Sequence, residues 1–262
     1  MRAFVLGTGS SGNALLVEAE GQRILVDSGV GPVKLAARLA ALGIDLQPGG
    51  LDAVIATHHH GDHFGGVEKV ARAFRAPVYL HRGIEAPKLR RKLPVRDYEP
   101  GRPFRVGSLE VQAELVPHDA PHVAVRIASS DGAYALGIAT DAGRPTSLLT
   151  SLLAACDVAL IEANHCPELL AFGPYPPHLR ARIASGLGHL SNGQAAELAG
   201  SLVGSRVARI YLGHLSAANN TPERALETVA SAAKRIRVSA LEHGAVTALD
   251  LARKAVQTSF GF

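Results

Sequence analysis

The chain reads as an α/β (α+β) fold in which helices cover both outer faces of two packed β-sheets. Three observations predict it. Apolar segments of strand length recur in both halves of the sequence. Segments with helical spacing of apolar residues lie between them. No linker, low-complexity tract or repeat period breaks the 262 residues, so one domain over 1–262 is expected. Such an interleaved pattern is satisfied when each sheet buries one face against its partner sheet and the other under helices.

The elements follow in order. Residues 3–6, 14–18 and 23–26 are strand-like, separated by the glycine- and serine-rich stretch 7–13 and by Ala19-Glu20-Gly21. Residues 33–42 have apolar positions at helical spacing and stop at Gly43. Residues 53–56 are continuously apolar, the mark of a strand buried on both faces. A helix over 67–74 and a strand over 78–80 come next. Strands at 109–115, 123–127 and 134–138 fill the middle. Then come a helix at 148–155, a buried strand at 158–161, a helix at 194–202 and a strand at 210–212. The last helix spans 221–235, with Pro222 in its first turn, where a missing N–H costs nothing.

Composition bounds the class of function. Apolar residues make up 47% and charged residues 19%, ordinary values for a globular protein. No apolar run approaches the roughly 18 residues of a membrane span, and the N-terminus lacks a signal-peptide core. The expected location is therefore the cytoplasm, with no membrane partner and no feature that identifies a protein partner. Cys156 and Cys166 are the two cysteines, too few for a disulfide framework or a cysteine-rich zinc site. A net charge of +4 permits a polyanionic substrate without requiring one. The unusual count is 12 histidines, since imidazole is the commonest metal ligand.

Four of them sit in His58-His59-His60-Gly61-Asp62-His63, directly after the buried strand at 53–56. On a segment leaving a strand, His58 and His60 project to one side and can share an ion. Asp62 and His63 fall in a turn, freed by Gly61, and can reach a second ion. Imidazole with carboxylate and no thiolate suits zinc, manganese or iron. Further candidates each follow an apolar stretch: His118-Asp119, Asp141, His189 and His214. Singly, each also reads as a capped turn or a surface histidine. Together they complete two ion sites, and Asp141 can balance charge between two dications.

In this order, His58-x-His60-x-Asp62-His63, His118, Asp141 and His214 resemble the metallo-β-lactamase fold hydrolases, from near residue 1 to about residue 225. The resemblance implies a four-layer αββα sandwich with two divalent metal ions, zinc or manganese, at one edge. It implies His58, His60 and His118 on one ion, Asp62, His63 and His214 on the other, and Asp141 bridging. Gly9-Ser10-Ser11-Gly12-Asn13, residues 161–165, Gly188-His189-Leu190-Ser191-Asn192 and residues 213–220 resemble the YycJ (WalJ) branch, regarded as 5′-to-3′ DNA exonucleases. The order is also similar to transfer-RNA 3′-processing nucleases. That similarity makes His189 a phosphate-binding or proton-transfer residue. The stretch between Asp141 and His189 is too short for the large cap domain of the RNA-processing and DNA-repair branch, and no arm for transfer RNA is evident.

The expected reaction is phosphodiester hydrolysis of DNA. Two ions share a water and lower its pKa towards ~7, giving a hydroxide for in-line attack. Asp62 orients it, and His189 holds a phosphoryl oxygen or protonates the leaving oxygen. Candidate substrate contacts are Ser10, Ser11 and Asn13, in a loop that either approaches a phosphate or makes a tight turn, together with His165 and Asn192. Asp27 is either a turn residue or a hydrogen-bond partner for a metal-binding imidazole. The basic runs 88–92 and 178–182 are solvated helix faces or nucleic-acid grips. Cys166 reads as an ordinary small residue, and His81, His122 and His243 are unassigned. The rival readings are a small-molecule hydrolase of the same fold (cyclic phosphodiesterase, thioesterase or lactonase) and a non-catalytic metal-binding protein.

Overall fold

A computed structural model describes residues 1–244 and 246–251. The first half runs β1 (Arg2–Gly7), β2 (Ala14–Ala19), β3 (Gln22–Val26), α1 (Pro32–Ala41), β4 (Ala53–Ala56), α2 (Gly61–Phe64), α3 (Val67–Phe74), β5 (Val78–His81), α4 (Pro87–Arg90) and β6 (Val95–Tyr98). The second half opens with β7 (Phe104–Val106), β8 (Leu109–Leu115), β9 (Val123–Ala128), β10 (Ala135–Ala139), α5 (Ser147–Ala154) and β11 (Val158–Glu162). It continues through α6 (Pro167–Phe172), α7 (Pro177–Ala184), α8 (Asn192–Ser201), β12 (Arg209–Gly213), α9 (Pro222–Ala232), β13 (Arg237–Ala240) and β14 (Thr247–Leu249).

Among the described residues the strands form two sheets of seven. One is ordered β14-β1-β2-β3-β4-β5-β6 and the other β13-β12-β11-β10-β9-β8-β7. Val5, Leu15, Ile24 and Ile55 of the first meet Val111, Val125 and Leu136 of the second in the central core. On the outer face of the first sheet, Leu35 and Leu39 of α1 and Val70 of α3 cover Leu16 and Val54. On the outer face of the second, Leu152, Leu198 and Val229 from α5, α8 and α9 cover Ile161 and Ile210. Helix, sheet, sheet and helix therefore stack in four layers, as the sequence predicts. Among the described residues, no helix is long and apolar enough to cross a membrane.

The functional consequence lies in strand direction. β3 through β6 are parallel, as are β10 through β13. Register aligns Ala139 with Ile161 and Ile161 with Leu212, so three strands end level. Their next residues, Thr140-Asp141, Glu162-Ala163 and Gly213-His214, emerge side by side. In open parallel sheets the carboxyl ends of strands are where ligands bind.

Several elements differ from expectation. The turn at Asp62-His63 is a one-turn helix, α2. α6 and α7 fill the stretch between Asp141 and His189, and α4, β6, β7, β13 and β14 are additional short elements. All are too short or too polar to carry a period. β6 is Val-Arg-Asp-Tyr with two exposed charges at its centre.

Candidate active site

β4 delivers the chain into the histidine cluster, and two flanking loops hold it there. The Asn13 N–H donates to the Asp62 carbonyl at 2.7 Å, and the Ser28 N–H to the His63 carbonyl at 2.8 Å. Gly29 is required by close approach: a Cβ there would lie 1.8 Å from the Asp62 carbonyl oxygen. Asp27, Asp141 and His214 adopt left-handed φ values of 59°, 55° and 52°. That conformation costs a non-glycine residue roughly 1 kcal/mol or more, and such outliers collect at functional sites. Each stands one residue past the end of β3 or β12, or two past β10.

The first group is a set of neutral imidazoles. Ligand-capable atoms of His58, His60 and His118 lie within 4.8 Å of one another. His118 Nδ1 donates to the Gly188 carbonyl at 3.2 Å, and its Nε2 lies 3.2 Å from His60 Nδ1. Burial lowers the pKa of all three, His58 most strongly, and neighbouring imidazoles lower His58 and His60 further. Unprotonated nitrogens are what a cation needs.

The second group joins carboxylates to imidazoles. Asp62, His63 and His214 also bring ligand-capable atoms within 4.8 Å. His63 Nδ1 is 2.7 Å from Asp27 Oδ2, and its Nε2 is 2.9 Å from Asp141 Oδ2. Burial opposes its charge, yet Asp141 and Asp27 hold its pKa up, at about 10. His214 is likewise raised, against burial, by Asp141, Asp62 and Glu162. Asp141 is buried, and despite that burial His214 and His63 keep its carboxyl far below the usual range. The carboxylates draw positive charge towards the point where both groups meet.

Behind them stands Glu162, fully buried. Its Oε2 accepts from Nδ1 of His189 and Nδ1 of His214, both at 2.9 Å, and from the Asp141 N–H at 3.1 Å. Its Oε1 accepts from the Leu190 N–H at 2.8 Å. With Nδ1 so occupied, His189 has Nε2 left for other partners, and it lines a cleft of about 460 Å³ beside Asp62, Asp141 and His214.

The donor set fits divalent cations. One buried atom of the first group, His58 Nε2, has no hydrogen-bond partner. An unpaired buried acceptor is costly unless something else binds it. Residues 7–214 match the metallo-β-lactamase superfamily. The chain belongs to that superfamily. This metallo-β-lactamase-fold chain is a metal-dependent hydrolase with groups suited to divalent metals. It is 36% identical over 234 residues to the exodeoxyribonuclease WalJ of Streptococcus pneumoniae, covering 86% of this chain and 85% of that one. It is 29% identical over 230 residues to the exodeoxyribonuclease YycJ of Bacillus anthracis, covering 86% of each. Among solved structures, the metallo-β-lactamase fold protein YhfI of Bacillus subtilis superposes with a TM-score of 0.72 at 16% identity, over 94% of this chain and 98% of that one.

The structure brings His58, His60, Asp62, His63, His118, Asp141, His189 and His214 to one sheet edge. The substrate candidates divide. Ser10 lines the cleft, and Ser11 is exposed nearby in the same loop. Asn13 is buried, its amide 2.8 Å from His63 Nε2 and 3.3 Å from the Asp62 carbonyl. Asn192 is buried in a reciprocal amide pair with Asn220, at 3.0 and 2.7 Å. His165 is also buried and does not line the cleft. The basic run 88–92 does not line it either, and Arg90 and Lys92 pair with Asp97 and Glu68.

Glu162 and His122 carry weight that the sequence reading does not assign. Residues 162–165 read in the sequence as the end of a buried strand with polar side chains facing the site edge, but no role for Glu162 follows from that. His122 donates from Nε2 to the Thr140 carbonyl at 2.7 Å, and a nitrogen of its ring lies within 4.8 Å of His58 and Asp141 ligand atoms. No sequence spacing signals either one.

Proposed function

We propose that the protein is a two-metal exodeoxyribonuclease of the cytoplasm, acting on DNA. The observation that carries the reading is 36% identity to an exodeoxyribonuclease across nearly the whole of both chains. The site geometry supports it. In this reading His58, His60 and His118 hold one zinc or manganese ion, Asp62, His63 and His214 hold the other, and Asp141 serves both. Bound there, such ions supply Lewis acidity, activating water and neutralising charge on phosphoryl oxygens.

The chain's own residues do the rest. His118 and His214 are locked by the Gly188 carbonyl and by Glu162, which fixes their tautomers and directs Nε2 inwards. Asp62 orients the attacking water. His189 gives a proton from Nε2 to the leaving oxygen. Burial opposes its protonated form, but the Glu162 carboxylate raises its pKa and keeps that proton available. Ser10 contacts the phosphate at the cleft mouth.

The cleft volume also lies in the small-molecule range of about 300–1,000 Å³, so the test sets DNA against small substrates. The full chain, supplied with manganese or zinc, is given 5′-phosphorylated DNA, a thioester and a cyclic nucleotide. Mononucleotide release from DNA is expected, and its absence overturns the nuclease reading. In parallel, metal content is measured by mass spectrometry. Asp141→Asn should lose metal. His189→Ala should keep it and lose turnover by about 10²- to 10⁴-fold; metal loss in His189→Ala would overturn its assignment as proton donor.

A further inference from the structure

One wall of the cleft comes from neither histidines nor aspartates. It is the α6–α7 segment, which contributes Tyr175, Leu179, Arg182 and Ile183. Tyr175 stands in Gly173-Pro174-Tyr175-Pro176-Pro177. Prolines on both sides restrict the backbone and remove its donors, so the ring is carried on a stiff support. Phe172, the last residue of α6, is 92% exposed, more than any other large apolar side chain among the described residues. A bare aromatic at that exposure, three residues from one lining the cleft, is unsatisfied in water.

Charge gives the face a second character. No Asp or Glu occurs between Glu168 and Glu197, while Arg180 and Arg182 lie on α7. Arg182 is anchored by Asp119, the neighbour of His118. The segment is also fixed to the catalytic side. The His189 N–H donates to the Ile183 carbonyl at 3.0 Å. A Cβ at Gly188 would lie 2.2 Å from the carbonyl oxygens of Arg182 and Ile183, and one at Gly143 would lie 2.3 Å from that of Gly186. The wall and His189 therefore keep one spacing.

Aromatic faces, an aliphatic floor and a guanidinium held in place through Nε and Nη2 by Asp119, with Nη1 outside that pair, match a nucleotide strand: rings for bases, arginine for phosphate. We propose that Tyr175 and Phe172 form a stacking platform for unpaired bases of the strand being cleaved, with Arg182 on a backbone phosphate. This rests on the nuclease reading above and goes further, assigning a single-stranded end as the species that enters the cleft. Any base stacks on such a platform, so it gives affinity without sequence preference.

The test compares two 5′-phosphorylated DNA strands that differ only in carrying bases or abasic sites at the first three nucleotides. Binding is read by fluorescence anisotropy on full-length metal-loaded protein in a His189→Ala background, and KM on the His189-containing enzyme. The base-bearing strand should bind about tenfold tighter or better. In Tyr175→Ala/Phe172→Ala that advantage should vanish, while the abasic strand binds as before. Tyr175→Phe should restore it, which separates stacking from misfolding. Arg182→Ala should weaken both strands alike. An advantage that survives in the double-alanine variant, or is absent in the parent, overturns the platform. If the unsubstituted enzyme releases no nucleotide from any DNA, the nuclease reading fails instead. DNA cleavage with no base advantage defeats the platform alone.

Discussion

His189 Nδ1 lies 2.9 Å from Glu162 Oε2, a carboxylate with no solvent exposure that makes the same contact with His214. One buried oxygen thus orients both a proposed metal ligand and the proposed proton donor. Glu162→Gln keeps the shape but loses the charge, and its amide turns donors towards groups that already donate. Turnover on DNA should fall about 10- to 100-fold, with weaker metal retention, the usual cost of losing a carboxylate behind a ligating histidine. Steady-state rates and metal content of the purified variant measure this. Unchanged turnover at full metal content would remove Glu162 from the machinery.

Much of this site was legible because its first half is local. His58 to His63 follow a buried strand within one short stretch, and apolar runs before His118, Asp141 and His214 mark strand ends. Asp27 reads in the sequence as either a turn residue or a partner for an imidazole, and it meets His63 at 2.7 Å. Glu162 has no such reading, because its partners lie 27 and 52 residues away and only β-sheet register brings them together. α7 is legible only as the basic run 178–182, read as a solvated helix face or a nucleic-acid grip. Pro-His-Leu-Arg-Ala-Arg-Ile-Ala buries only Ile183 and so shows no apolar stripe. The strand order was not written in any local pattern either. It follows from long-range pairing, such as β14 returning to β1.

Two asparagines in the segments that resemble the YycJ branch, 188–192 and 213–220, do structural work. Asn192 and Asn220 exchange amide hydrogen bonds, and Asn220 also donates to the Ala163 carbonyl at 2.8 Å and accepts from the Thr221 N–H at 3.0 Å. They tie the loop carrying His189 to the loop carrying His214. Asn220→Ala strands several buried polar groups, so it should destabilise the fold by about 1–3 kcal/mol. Chemical denaturation reads the loss. The KM for a DNA strand should hold at temperatures where the variant is folded, and a large rise in KM with unchanged stability would make Asn220 a substrate contact.

Acid should destabilise this protein in part through buried histidines that are not among the proposed ligands. His165 is pushed down to about 4 by burial. His81 is lowered by burial as well, donating from Nε2 to the Pro121 carbonyl at 3.2 Å and accepting the Gly83 N–H on Nδ1 at 3.2 Å. An unfolded histidine takes up its proton near pH ~6.5. The folded chain refuses that proton at His165 until about pH 4. Between those values the unfolded state binds more protons at this position, so the contribution of His165 is complete above ~6.5 and is lost as pH falls. The slope is at most about 1.4 kcal/mol per pH unit for each histidine. Urea midpoints of EDTA-treated protein at several pH values from 7.5 down to ~5 measure it, with metal linkage silenced. His165→Asn and His81→Asn should each flatten part of the decline. If both variants keep the parent slope, the acid sensitivity belongs to other groups.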